Sequence, residues 1–277
     1  MTVAETNVLT IERVSPTIGA EVSGVDLRQT LPDETIAAIR AALLEHKVLF
    51  FRDQPLTQLE HLTFGRRFGE LEVHPVTPAD QEHAEIFVLR HDAEHRGTEN
   101  AWHSDVTWRP EPSMGSILRA RVVPDVGGDT LFADMHGAYE GLSDKIKAAV
   151  EGLVAIHDFT RVFGALATEE QRAKMRAEHP SVEHPVVRTH PETGRKGIYV
   201  NRAFTVAIKG MAEAESTRLL EHLYRQASIP EHQCRLRWRP DTIAFWDNRA
   251  TQHYAVSDYF PAVRVMERVT VVGDRPY

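Results

Sequence analysis

The chain has 277 residues, 42% of them hydrophobic, and a formal net charge of −8 at pH 7. That length can bury a substantial core, whereas a net negative charge gives no basic field for a nucleic-acid backbone, and no apolar run is long enough to span a bilayer. Residues 1–11 lack the basic start and apolar centre of a signal peptide, and a single cysteine, Cys234, excludes an internal disulfide. These features predict one cytoplasmic domain spanning residues 1–277 that acts on a small molecule.

The first half of the chain predicts short strands separated by helices. Runs of β-branched residues bounded by turn residues predict strands, and apolar residues three and four apart predict helices. Strands are expected at 48–51, 85–90 and 116–123 after two short ones within 11–27, and helices at about 33–46, 57–68, 137–142 and beyond Ser143.

The second half continues this alternation and ends in strands. A charged helix at 168–179 is expected to belong to a mobile lid over about 160–182, and the Pro-Glu-Thr-Gly segment at 191–194 predicts a hairpin turn. The other strands are expected at 153–157, 182–190, 197–200, 234–238, 242–246 and 263–272, with an amphipathic helix at 211–226. Many short strands with inserted helices indicate an α+β, mainly β fold, either a barrel or a sandwich.

The segment from Trp102 to Trp108, with sequence Trp-His-Ser-Asp-Val-Thr-Trp, is a candidate metal site. Its composition predicts an extended conformation, in which side chains two residues apart point to the same side. His103 and Asp105 would therefore converge, as two donors of the 2-His-1-carboxylate triad that binds Fe(II) on one face. The best candidate for the third ligand is His253, far along the chain.

Several ordered segments resemble the taurine and 2,4-dichlorophenoxyacetate dioxygenase family (TauD/TfdA) along nearly the full length of the chain. They are WHSDVT at 102–107, GGDT at 127–130, HPVVRTHP at 184–191, WDNR at 246–249 and the arginine-bearing end at 264–268. The resemblance implies a double-stranded β-helix (jelly-roll) fold with flanking and inserted helices. It also implies Fe(II), 2-oxoglutarate as cosubstrate and O₂.

The resemblance assigns roles to five residues. It implies that His103, Asp105 and His253 bind iron, and that Thr130 and Arg264 bind the distal carboxylate of 2-oxoglutarate. The planar fork of an arginine suits a buried carboxylate, and a threonine hydroxyl can add one hydrogen bond.

The substrate contacts follow from the taurine branch of the family. There the match places Arg268 and His74 at the sulfonate and Phe204 in the pocket wall. Arg268 lies four residues after Arg264 on a predicted strand, so both arginines should face the same side.

The chain departs from the taurine branch at several substrate positions. Thr77 replaces a tyrosine near the amine, Val162 replaces a serine beside the sulfonate, and an asparagine position falls at or near Glu99, with Asn100 adjacent. These changes predict a roomier, more apolar pocket. The segments TRVFG at 160–164 and GRKG at 194–197 resemble the aryloxypropionate-degrading branch instead.

Several of these residues also have a purely structural interpretation. Arg268 could form a surface salt bridge and His74 could serve packing alone, while Asp247 and Asn248 are expected to make hydrogen bonds in the turn or around the ligands rather than bind metal. Most of the fifteen histidines are expected to be ordinary surface residues, and those without a supporting constellation are His46, His61, His83, His179 and His222.

The sequence therefore predicts a dioxygenase that hydroxylates a carbon beside a heteroatom of a small anionic compound, either a taurine-like alkylsulfonate or an alkyl sulfate. An aryloxyalkanoate is the alternative substrate. Two other classes remain open: a non-catalytic, cupin-like metal-binding sensor, and a hydrolytic zinc enzyme with the same ligands. A homo-oligomer, dimer or tetramer, is expected on general grounds.

Overall fold

A computed structural model describes residues 9–75, 77 and 81–277, in a mixed α/β arrangement that is rich in strands. The strands are β1 (Thr10–Arg13), β2 (Ala20–Ser23), β3 (Val48–Phe51), β4 (Ile86–His91), β5 (Gly115–Val122), β6 (Thr130–Asp134), β7 (Val154–His157), β8 (Val182–Pro185), β9 (Val187–Thr189), β10 (Lys196–Ile198), β11 (Thr205–Ile208), β12 (Gln233–Leu236), β13 (Ile243–Asp247), β14 (Thr251–Ala255) and β15 (Arg264–Val271). The helices are α1 (Asp33–His46), α2 (Gln58–Arg66), α3 (Met135–Glu140), α4 (Asp144–Val150), α5 (Thr160–Phe163), α6 (Glu169–Glu178) and α7 (Glu213–Gln226), with a 3₁₀ turn at Pro230–His232.

The largest sheet has seven strands in the order β1-β2-β3-β13-β5-β15-β4. Its central strand β13 is buried at all five positions and pairs antiparallel with β3 and β5. The apolar run Ile-Ala-Phe-Trp in β13 suits a strand that is covered on both faces. Strand β15 lies between β5 and β4, so Arg264 and Arg268 are held on an internal strand of the sheet.

A three-stranded sheet, in the order β12-β6-β14, packs against the middle of the large sheet. Phe132 of β6 contacts Phe50 and Trp246 of the large sheet, with ring centroids 5.7 and 5.6 Å apart. These aromatic contacts bury apolar surface between the two sheets. The layer fixes strand β14, which carries His253, relative to strand β15.

The opposite face of the large sheet is covered by helices α1 and α2. The acidic residues Asp33 and Glu34 lie in the first turn of α1, where their negative charges interact favourably with the positive end of the helix dipole. Thr57 and Glu60 form a capping box at the start of α2. Both predicted helices are thus confirmed to within two residues at each end.

The second half of the chain forms a region of smaller sheets and helices. Helices α3, α4 and α7 pack on the three-stranded sheet β11-β7-β8. The Ser143 hydroxyl accepts from Ile146 N–H and starts α4, as predicted. Strands β9 and β10 pair as the predicted hairpin, and Gly194 in its turn has a φ of 69°, which glycine adopts without steric cost.

The predicted helix at 168–179 is present as α6, and Thr168 and Gln171 cap it reciprocally. None of the residues in α6 is buried. The mobility of the predicted lid stays a prediction. The sequence patterns missed the single turn α5 and strands β6, β11 and β14. Strand β14 is too polar to predict, because its sequence is Thr-Gln-His-Tyr-Ala.

The expectation that most histidines lie at the surface is wrong. Histidines with less than a tenth of their surface exposed are His46, His61, His74, His91, His136, His157, His184, His190 and His253. His61 shows how a buried ring is accommodated, because its Nε2 lies 3.1 Å from the carbonyl oxygen of Ile117 and burial lowers its pKa to about 4. A neutral imidazole with one hydrogen bond behaves as a polar core residue.

Among the described helices, none combines the length and the apolar character needed to cross a membrane.

Candidate metal centre and its two cavities

The three side chains predicted to bind a metal lie together. His103, Asp105 and His253 each offer one ligand atom, and these atoms lie within 4.8 Å of one another. In the part of the chain that the structure describes, no other group of three His, Cys, Asp or Glu side chains is arranged in this way. Two imidazoles and one carboxylate are the donor set that binds one face of Fe(II) and leaves the other face open.

A backbone bridge brings the two histidines together. His103 N–H donates to the carbonyl oxygen of His253 at 3.1 Å, and His253 N–H donates to the carbonyl oxygen of His103 at 2.8 Å. The predicted extended conformation through Trp108 is wrong, because a turn begins at Asp105 and Val106 has a φ of 47°. This φ is unusual for a β-branched residue and costs about 1–3 kcal/mol. The strained turn carries Asp105 back towards the imidazoles.

The imidazole rings are oriented for metal binding. The Nδ1 atom of His103 lies 2.7 Å from the carbonyl oxygen of Ala101, so Nδ1–H donates there and Nε2 stays free for a metal. The ring of His253 packs on the indole of Trp246, with centroids 4.8 Å apart. Burial, followed by the charge of His103, lowers the pKa of His253 to about 3. His253 is therefore neutral at pH 7, which is the form that binds metals.

Both carboxylate oxygens of Asp105 have partners. Arg268 Nη1 donates to Oδ1 at 2.6 Å, and the Ser116 hydroxyl donates to Oδ2 at 2.8 Å. Burial by itself raises the pKa of Asp105, but the charges of Arg268, His253 and His103 outweigh burial and bring the pKa below its ordinary value. Asp105 is therefore ionised, the form in which a carboxylate binds a metal.

A small cavity beside the three ligands contains the residues predicted to bind 2-oxoglutarate. It is lined by His103, His253, Thr130 and Arg264, among others. The Thr130 hydroxyl accepts a hydrogen bond from Trp238 Nε1 at 2.9 Å, which leaves its own proton to donate to a ligand. The cavity therefore offers a hydroxyl donor and a guanidinium beside two of the predicted metal ligands.

Arg264 is a buried cation in this cavity. Only 4% of its surface is exposed, and its Nε has no hydrogen-bond partner among the described residues. Its guanidinium lies 6.0 and 5.8 Å from the ring centroids of Trp238 and Tyr259. Burial lowers the pKa of Arg264, so an anion beside it would relieve the cost of keeping a charge away from water.

A larger cavity of about 490 Å³ opens on two of the three predicted metal ligands, His103 and Asp105. Its walls are mainly aromatic and aliphatic and include Phe87, Leu89, Val106, Trp108, Val162, Phe163 and Phe204. Arg268 is a buried residue of its lining, with its guanidinium 5.2 Å from the ring centroid of Phe87. The ring of His74 also stacks on the ring of Phe87, with centroids 4.5 Å apart. Burial, then the charge of Arg268, lowers the pKa of His74 to about 4.

The predicted substrate residues do not all line this cavity. Arg268, His74, Phe204 and Val162 do, whereas Asn100 is exposed and lies outside the lining. Its neighbour Glu99 lines the cavity instead, consistent with adjacent side chains in an extended segment pointing in opposite directions. The assignment of Asn100 to the pocket is therefore corrected to Glu99.

Sequence reasoning missed three other residues that shape the site: His91, Tyr259 and Phe87. His91 Nε2 lies 3.3 Å from Glu99, and His91 Nδ1 lies 2.8 Å from the Tyr259 hydroxyl. Phe87 contacts both Arg268 and His74. Phe87 lies in a strand of alternating exposure that looks ordinary in sequence, so no local signal marked it.

Comparison with known proteins agrees with this geometry. The model of the family "Taurine catabolism dioxygenase TauD, TfdA family" matches residues 10–270. An alkylsulfatase of Acinetobacter baylyi is 38% identical, over 97% of this chain and 86% of its own length. An (S)-phenoxypropionate/alpha-ketoglutarate-dioxygenase of Sphingobium herbicidovorans is 35% identical, over 95% of each chain.

A solved structure is also similar to this chain over most of its length. The crystal structure of a taurine dioxygenase from Burkholderia xenovorans superposes with a TM-score of 0.84 at 39% identity, over 97% of this chain and 90% of that one. Because the family model covers nearly the whole sequence and the relatives exceed 30% identity over most of their length, the chain belongs to the TauD, TfdA family of dioxygenases.

Proposed function

We propose that this chain is an Fe(II)- and 2-oxoglutarate-dependent dioxygenase that hydroxylates a carbon next to a heteroatom of a small anionic substrate. The observation that carries this proposal is the position of His103, Asp105 and His253 between two cavities, each of which contains a buried arginine. A cosubstrate with a distal carboxylate suits Arg264, and the anionic group of the substrate suits Arg268.

The residues of the two cavities would have separate binding roles. His103, Asp105 and His253 would hold Fe(II), while Thr130 and Arg264 would bind the distal carboxylate of 2-oxoglutarate. When bound, Fe(II), 2-oxoglutarate and O₂ together supply the oxidation, which inserts one oxygen atom into a C–H bond and yields succinate and CO₂. The apolar walls of the larger cavity would keep water away from the reacting carbon.

We propose an alkyl sulfate or alkylsulfonate as the substrate class. An anionic head at Arg268 would place the adjacent carbon near the metal ligands, because Arg268 contacts Asp105 directly. Hydroxylation of the carbon that bears a sulfate ester gives an unstable product, which releases an aldehyde and sulfate; a sulfonate releases sulfite instead. The alkylsulfatase relative supports this choice.

An aryloxyalkanoate is the second candidate. The aromatic wall formed by Trp108, Phe163 and Phe204 could accept an aryl ring, and the carboxylate of such a substrate could use the same arginine. The phenoxypropionate relative is consistent with this alternative. Hydroxylation beside the ether oxygen would release a phenol and an oxo acid.

We also propose the broader organisation expected from the sequence. The large sheet and the sheet β12-β6-β14 would form a double-stranded β-helix within one domain over residues 1–277, and the segment at about 160–182 would act as a lid. We propose a homo-oligomer, dimer or tetramer, and a cytoplasmic location, which suits a single buried thiol.

Release of succinate tests the proposed function and separates the substrate classes. Purified protein would be assayed with Fe(II), ascorbate, O₂ and 2-oxoglutarate, together with taurine, alkylsulfonates, alkyl sulfates or each enantiomer of a phenoxypropionate. We expect alkyl sulfates or alkylsulfonates to stimulate succinate release most. Stimulation by one phenoxypropionate enantiomer alone would favour the second candidate. No succinate under any condition, with iron bound, would contradict the enzyme assignment and favour a sensor.

Replacing Arg268 with alanine is expected to raise the KM for the stimulating anion by about 100-fold. Removal of a buried, hydrogen-bonded charge costs roughly 2–5 kcal/mol, and each 1.4 kcal/mol is about tenfold in affinity. Because Arg268 also contacts Asp105, we expect a smaller loss of Fe(II) affinity in the same variant. Steady-state kinetics and anaerobic Fe(II) titration measure the two effects separately.

Arg161→Ala is the matched control for this prediction. Arg161 lines the same cavity, but it is exposed and its Nε donates to the carbonyl oxygen of Arg202. An exposed charge contributes little, so the KM should change by less than about threefold. An equal rise of KM in both variants would contradict a specific role for Arg268.

A further inference from the structure

The side-chain amide of Asn248 forms hydrogen bonds with groups that support two of the expected ligands, Asp105 and His253. Asn248 lies in the turn between β13 and β14, is 1% exposed and lines neither cavity. Its Oδ1 accepts from Trp246 Nε1 at 2.9 Å and from the backbone N–H of Asp105 at 3.2 Å. Its Nδ2 donates to the Ser113 and Ser116 hydroxyls at 2.9 and 3.1 Å. An amide has two acceptor lone pairs and two N–H donors, so all four are used.

These bonds determine which way the Ser116 hydroxyl points. The hydroxyl oxygen of Ser116 accepts from Asn248, and its single proton is donated to Asp105 Oδ2 at 2.8 Å. Ser116 is fully buried, so water does not compete for that proton. Asp105 Oδ2 is thereby engaged, while Oδ1, which accepts from Arg268, lies 3.9 Å from His253 Nε2.

The same amide also acts on the histidine side of the centre. Trp246 Nε1–H donates to Asn248, and the ring of Trp246 packs on the ring of His253. Asn248 therefore links Asp105, through its backbone and its carboxylate, to the indole of Trp246 that packs on His253. Partners of this kind orient ligands, and their loss typically costs about 10–100-fold in metal affinity.

We propose that Asn248 is a positioning residue that sets the orientation of the Asp105 carboxylate through Ser116, and so determines the affinity of the centre for Fe(II). The inference rests on the proposed function, because it takes His103, Asp105 and His253 as the iron ligands. Asn248 touches neither the metal nor the substrate in this scheme. Its effect reaches the centre through three hydrogen bonds, which join it to the backbone N–H of Asp105, to the Ser116 hydroxyl and to the indole of Trp246.

The two serines provide a matched pair of variants. Ser113 and Ser116 are both buried and both accept from Asn248 Nδ2, but among the bonds described here only Ser116 continues to Asp105. Ser116→Ala removes the bond to the carboxylate, and Ser113→Ala removes only a bond that the same Asn248 nitrogen makes to a serine hydroxyl. A general loss of packing or of hydrogen bonding would affect both variants alike.

Anaerobic calorimetry with Fe(II) on the full chain tests the inference. We expect Ser116→Ala and Asn248→Ala each to weaken Fe(II) binding by about 10–100-fold and Ser113→Ala by less than about threefold. In the double variant Asn248→Ala/Ser116→Ala, the Fe(II) affinity should fall by less than the product of the two single losses, because part of the effect of Asn248 passes through Ser116. Thermal unfolding of each metal-free variant identifies any that fails to fold.

Absorption of bound Co(II) gives a second measurement, which does not depend on turnover. Its visible bands report coordination geometry, so Ser116→Ala should change them and Ser113→Ala should leave them as in the wild type. Wild-type Fe(II) affinity in a folded Ser116→Ala variant, or equal weakening in both serine variants, would overturn the inference alone. Absence of Fe(II) binding by the wild-type protein would overturn the proposed function together with it.

Discussion

Replacing His103 with alanine is expected to abolish succinate formation and to weaken Fe(II) binding by more than about 100-fold. The reason is that His103 supplies one of three expected ligands, whereas the loss of a group that only orients a ligand already costs about 10–100-fold. The backbone bridge between His103 and His253 needs no side chain at position 103. The variant should therefore fold, with the metal centre as its principal defect. Anaerobic Fe(II) titration and succinate analysis measure the two losses.

His222→Ala is the matched control, because this histidine is exposed, lies in α7 and lines neither cavity. It should bind Fe(II) and form succinate as the wild type does. Zinc in place of iron gives a further discrimination: a hydrolytic zinc enzyme with these ligands would act without O₂. Fe(II) binding at wild-type affinity in His103→Ala would remove this residue from the proposed centre.

The grouping of His103, Asp105 and His253 could be predicted from the sequence, but the backbone that holds them could not. The spacing of His103 and Asp105 suggested convergence on a strand, whereas the structure brings Asp105 into place by a turn with Val106 at a positive φ. Val is a strong strand former, so local propensity opposes this turn and tertiary contacts impose it. Val106 packs in an apolar cluster with Trp108, Phe159 and Phe204, which offsets part of the cost.

The helices and strands could be predicted where one face is apolar and where capping or turn residues mark the ends. Helices α1 and α2 and strand β3 were predicted nearly in full because periodicity, capping residues and burial agree there. Strand β14 was missed because its residues are mostly polar and its partners lie far away in sequence. The partners of the predicted ligands, such as Ser116, belong to strands whose pairing a single sequence does not specify.

Arg264→Ala is expected to raise the KM for 2-oxoglutarate by about 100-fold and to remove the preference for a distal carboxylate. The two carboxylates whose charge reaches Arg264 are Glu99 and Asp129. Each already has another partner, since Glu99 lies 3.3 Å from His91 and Asp129 lies 2.7 Å from Arg235. A buried guanidinium placed in this way is suited to an anion from outside the chain, and its loss costs roughly 2–5 kcal/mol of binding free energy.

The choice of cosubstrate makes the test specific. A 2-oxo acid without a distal carboxylate, such as 2-oxobutyrate, gains nothing from Arg264, so the wild type should prefer 2-oxoglutarate and Arg264→Ala should lose most of that preference. Arg90→Ala is the control, because Arg90 is exposed on the neighbouring strand β4 and pairs with Asp92. If Arg264→Ala lowered the rate with both acids equally, Arg264 would support the fold of the cavity rather than recognise the carboxylate. A preference that survives in the variant would place the distal carboxylate elsewhere in the cavity.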